Sequence, residues 1–136
     1  MNAQAPVTSR TETAVCHLYM DSLMASQPEI TGVLISTIDG FEVASKLPPD
    51  RSAAKLAAMT SSLLALSGAM SSETGSGACR DLVIDGDDGR VLLVDLPYRK
   101  QKLVLAVLST DKVTLGQVLW AVRDCRKNLS ARLNVL

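Results

Sequence analysis

The fold class predicted for this 136-residue sequence is an α/β sandwich: a five-stranded, mainly antiparallel sheet with helices on both faces. Three features predict it. Five apolar runs of strand length are separated by turn residues, and three longer segments carry helical periodicity. The run LVLAVL at 103–108 is apolar at every position, so it belongs to a central strand covered on both faces. A chain of this length makes one core and one domain.

In chain order, residues 1–10 are polar, contain Pro6 and read as a disordered lead-in, leaving 11–134 as the domain. The first helix runs from about Glu12 to Ser26, with Val15, Leu18, Tyr19 and Leu23 at helical spacing, and stops before Pro28. Strands at Ile30–Thr37 and Phe41–Lys46 flank Asp39-Gly40, a dipeptide that tolerates the positive φ of a tight hairpin. The second helix is capped by Asp50 or Ser52 and stopped by Gly75 and Gly77. Three strands follow as a meander, Cys79–Asp85, Arg90–Pro97 and Lys102–Ser109, joined by Gly86-Asp87-Asp88-Gly89 and by YRKQ. The last helix carries Leu115, Val118, Leu119, Val122, Cys125, Leu129 and Leu133 on one stripe, with Ser109, Thr110 or Asp111 as its cap. Trp120 falls off that stripe and is expected to cover the edge of the core. The first and last helices share one sheet face, and the second helix covers the other.

That second helix is unusual in its composition. SAAKLAAMTSSLLALSGAM, Ser52 to Met70, has one charge, Lys55, where a surface helix should have a charged face. Leu56, Met59, Leu63, Leu66 and Met70 form the stripe expected to face the sheet. The opposite side collects Ala54, Ala57, Ala58, Ser61, Ala65, Gly68 and Ala69, with Leu64 at its margin. Small, uncharged residues let another helix approach closely, so this side is expected to meet a twofold copy of itself. The strand Cys79–Asp85, with Arg80 and Leu82, is expected to lie at a sheet edge and extend the contact.

Composition excludes several functions. The 14 basic and 14 acidic residues balance, which gives no electrostatic footprint for nucleic acid. Five Ser/Thr and six Ala make Ser52–Met70 too weakly apolar for a membrane span, and MNAQAPVTSR lacks an apolar run of signal-peptide length. Three cysteines without C-x-x-C spacing indicate neither a disulfide framework nor zinc, so free thiols in a cytoplasmic setting are expected.

GVLISTIDGFEVAS, the Ala-rich helix, LLVDLP and LVLAVLSTDKVTLGQVLWAVRDCRKNL, in this order, resemble the roadblock/dynein light chain family over about Glu12 to Leu133. The resemblance implies a profilin-like and longin-like sandwich that dimerises through its second helices and third strands. It also implies a function: bacterial relatives regulate small Ras-like GTPases through the paired helices, whereas eukaryotic relatives include dynein light chains and scaffold subunits. Arg51 and Lys55 are then candidate contacts to the GTPase.

Catalytic chemistry is not expected. His17 and Cys16 are helix neighbours pointing about 100° apart and cannot form a dyad. Gly75 and Gly77 precede a strand, whereas a phosphate cradle needs a helix N-terminus after it. Asp85, Asp87 and Asp88 lack the calcium-loop pattern and read as a hairpin turn. The expected protein is a non-enzymatic homodimer without cofactor or metal that binds a small Ras-like GTPase, with neither nucleic acid nor membrane insertion. A scaffold subunit is the first alternative. A small-molecule sensor is the second, and a core sealed without a pocket would count against it.

Overall fold

The computed structural model describes residues 9–136, so most of the expected lead-in lies outside the described residues. Helix α1 spans Arg10–Ser26 and begins earlier than expected, because Ser9 and Glu12 close a capping box: each side chain accepts a hydrogen bond from the other's backbone N–H. Its buried side is Glu12, Cys16, Met20 and Leu23, whereas Leu18, expected on the stripe, is exposed. The strands are β1 Ile30–Thr37, β2 Glu42–Lys46, β3 Asp81–Asp85, β4 Arg90–Leu96 and β5 Leu103–Ser109. Helix α2 spans Ala53–Glu73 with Ser52 as its cap, and α3 spans Leu115–Leu133. The cap of α3 is Thr114 rather than any residue from Ser109 to Asp111; its hydroxyl accepts from the Gln117 N–H at 3.2 Å.

All strand pairs are antiparallel, in the order β2-β1-β5-β4-β3, so the wholly apolar β5 is central, as its composition requires. Gly40, at φ +98°, turns the β1–β2 hairpin. Helices α1 and α3 pack on one face over Met20, Val33, Leu92, Leu105, Val122 and Leu129. Helix α2 lies on the other face over Leu34, Leu93, Val104 and Ala106. Trp120 is 69% exposed and does not cover the core edge.

Cys16 and Cys125 are buried between α1 and α3 and Cys79 is partly exposed, all as free thiols. Burial, with Glu12 nearby, pushes Cys16 up to about 12; burial, with Asp124 nearby, pushes Cys125 up to about 11. At pH 8 iodoacetamide should therefore label Cys79 in the native protein and spare the other two, as mass spectrometry can read. In the unfolded chain both thiols ionise from about their ordinary value of 9.0, while the folded protein still holds their protons. The folded state thus binds more protons, so stability falls as pH rises from about 9 toward 12. Melting temperatures from pH 8 to 11 should decline accordingly.

Candidate functional site

The two sheet faces are unequally covered. Five strands about 4.8 Å apart span about 24 Å, and one helix with its side chains covers only about 10 Å. The face under α1 and α3 is closed by two helices, but the opposite face has only α2, which packs chiefly on β1 and β2. Over β3, Leu82 is half-buried and Ile84 is 43% exposed. β3 is also an edge strand, paired with β4 alone.

The orientation of α2 corrects the sequence expectation. Of the stripe assigned to the sheet, Leu56 and Leu63 are half-buried, but Met59, Leu66 and Met70 are 53%, 69% and 70% exposed. The side against the sheet is Ala53, Leu56, Ala57, Thr60, Leu63 and Leu64, so Leu56 and Leu63 pack as expected while the helix is turned by somewhat less than the ~100° of one residue. The cause is the β1–β2 hairpin. Its backbone crosses so close to α2 that a Cβ on Gly40 would lie 3.4 Å from the Ala58 Cα and from the Ser61 Cβ. Ser61 Oγ donates to the Ile38 carbonyl at 2.8 Å. Only a small-residue side fits there, so the large side chains turn outward.

The predicted interface residues are therefore split. Ala54, Ala58, Ala65, Gly68 and Ala69 are exposed together, now beside Met59, Leu66 and Met70. Ala57 is fully buried in its own chain, and Ser61 and Leu64 are half-buried, because all three face the hairpin and sheet. By length and hydropathy α2 could span a bilayer, but with one side laid on the sheet it presents an apolar face rather than an apolar circumference. The charges of α2 are Lys55 and Glu73, close to its two ends. Arg51 and Lys55 are exposed at its N-terminal end, where Arg51 pairs with Asp50 at 3.1 Å in a contact worth little to stability.

Along the β3 edge, Asp81 points to the α3 side and holds the strand there: Arg123 donates to its carboxylate, through Nε at 3.1 Å and through a second nitrogen, with Arg126 at 3.8 Å. Arg80 falls just before the strand, where its carbonyl accepts from the Asp95 N–H at 3.5 Å, and it borders a groove with Asp95, Trp120 and Arg123 at the β3 edge. Leu82 keeps to the α2 side. The Asp85–Arg90 turn is a hairpin closed by the Gly86 N–H donating to the Gly89 carbonyl at 2.9 Å. Among the described residues no three His, Cys, Asp or Glu side chains gather as metal ligands.

A cleft of about 680 Å³, which sequence reasoning missed, opens beneath the C-terminal half of α2, between Leu64 and Gly68 above and Leu103 and Val104 below. Its residues come from five separate stretches of the chain, at 38, 64–68, 78–79, 95–104 and 134, so no local motif marks it.

This frame, with its five-stranded antiparallel sheet, lone α2 and free β3 edge, is matched by the Roadblock/LC7 domain family model over residues 18–109. The chain belongs to the Roadblock/LC7 family. An uncharacterised protein of Methanocaldococcus jannaschii is 28% identical over 102 residues, covering 75% of this chain and 86% of that one. The gliding protein MglB of Thermus thermophilus shares the fold with a TM-score of 0.84 at 14% identity, over 97% of this chain and 98% of that one. Profilin II of Acanthamoeba castellanii matches at a TM-score of 0.55 and 17% identity, over 84% of this chain and 95% of that one. The expected profilin-like architecture is thus present, and the family match covers α2 and all five strands.

Proposed function

We propose that this Roadblock/LC7 chain is a non-catalytic, cytoplasmic homodimer whose paired α2 helices form a platform for a small Ras-like GTPase. The observation that carries the reading is the outward face of α2, five small residues and three large exposed apolar ones, with Lys55 and Glu73 confined to its ends. A monomer leaving Met59, Leu66 and Met70 in water would expose apolar surface of the kind that marks a contact. A second copy of α2 supplies the missing cover, and the free edge of β3 can pair with its own copy. The family resemblance supplies the partner class.

On this reading the platform acts by shape. It binds one arrangement of the GTPase switch segments better than another, and the difference in affinity sets how far their populations move. Arg51 and Lys55 sit where they can meet an acidic surface at one end of the platform. The test is titration calorimetry and single-turnover hydrolysis with a small Ras-like GTPase encoded beside this chain's gene, loaded with GDP or with a GTP analogue. Binding in the micromolar range that differs at least tenfold between the two nucleotide states, with no GTP turnover by this chain alone, is expected. Equal affinity for both states would defeat the regulator reading, and no binding at all would favour the scaffold subunit.

A further inference from the structure

We propose that the cleft beneath the C-terminal half of α2 binds a free α-amino acid with an apolar side chain. The cleft wall is polar in a specific way. Asp95 on β4 stands opposite Val104 on β5, and Lys102 lies two residues before Val104, so strand alternation sets all three on the α2 side of the sheet. Such diagonal neighbours stand roughly 7–8 Å apart, within reach of a long side chain. Neither Asp95 nor Lys102 belongs to an ion pair among the described residues. Opposite charges so placed suit a ligand that carries both signs on adjacent atoms, its ammonium toward Asp95 and its carboxylate toward Lys102.

The rest of the cleft suits the remainder of that ligand. Leu64 and Val104 supply an apolar surface, and Gly68 leaves headroom, since a Cβ there would meet nothing within 4 Å. Tyr98 borders the cleft, but its 8% exposed side chain packs into the core under α1 and α3. Arg99 adds a second cation, already engaged by the Leu136 carbonyl at 3.0 Å. A volume of about 680 Å³ lies within the range of small-molecule sites and leaves room for bound water. A simple fatty anion would face Asp95, and a simple amine would face Lys102, so either lacks what the zwitterion has.

The inference does not depend on the GTPase reading, because its two charges, Asp95 on β4 and Lys102 just before β5, lie on the sheet and not on α2; Gly68 alone borders both the cleft and the outward face. Titration calorimetry of the full chain with L-leucine and L-phenylalanine tests it, with glycine, octanoate and octylamine as probes that each lack one element. Saturable binding of leucine or phenylalanine is expected, at least tenfold tighter than the three other probes. Lys102→Gln and Asp95→Asn, both at exposed positions, should each weaken it at least tenfold while circular dichroism stays native. The proposal is overturned if neither amino acid binds, if either charge variant binds as tightly as wild type, or if octanoate or octylamine binds as well as leucine.

Discussion

Ala65→Glu is expected to sediment as a monomer at concentrations where the wild-type chain is a dimer. Ala65 lies on the outward face of α2 between Ala58, Leu66 and Ala69, far from the Ala57 side that touches the sheet. In a twofold contact the substitution places two carboxylates near the axis, desolvated and without partners. An unpaired buried charge costs several kcal/mol even after relaxation, a large part of the ~8 kcal/mol that holds a micromolar dimer. The fold of each chain should survive, so helical circular dichroism stays native while the platform, and GTPase binding with it, is lost. If α2 is an ordinary exposed helix, the same change adds one solvated charge and alters stability by less than about 0.5 kcal/mol. A wild-type monomer, or a variant dimer of unchanged affinity, would defeat the interface.

The second large effect is in the core. Leu105 is fully buried at the centre of β5, the strand flanked by β1 and β4 and packed under α1 and α3. Leu105→Ala removes three heavy atoms from a site whose neighbours are held by ladders on both sides, so the cavity can collapse only partly. A cost of about 2–5 kcal/mol is expected. That corresponds to a fall in melting temperature of roughly 10 °C or more for a domain of this size. Leu18→Ala, at a position 65% exposed, is the control and should shift it by no more than a degree or two. Both must be measured at one protein concentration, because dimerisation makes the melting temperature depend on it.

Much of this architecture is legible locally. An all-apolar LVLAVL can only be central, and Asp39-Gly40 between two apolar runs can only turn back. The stripe Val118, Val122, Cys125, Leu129 and Leu133 of α3 is buried as its spacing demands. The start of α1 and the cap of α3 differ from the sequence expectation although their signals are local. Ser9-x-x-Glu12 and Thr114-x-x-Gln117 both have capping-box spacing, a short signal easily passed over beside the apolar runs.

What the sequence determined by itself was the identity and order of the elements, and that α2 must leave a side uncharged. That information is carried by residues three or four apart, or two apart in strands. Tertiary structure alone decided which side of α2 went inward. A helical wheel favours burying the largest residues, but the approach of the Gly40 turn admits only the small residues Ala57, Ala58 and Ser61, and steric exclusion outweighs the transfer of Met59, Leu66 and Met70 from water. It alone also brought Asp81 under Arg123 and Arg126, and set Asp95 diagonal to Lys102 beneath Gly68. Asp81 and Arg123 are 42 residues apart, and Asp95 and Lys102 come from neighbouring strands; strand register with helix placement, rather than any local pattern, determines their distances.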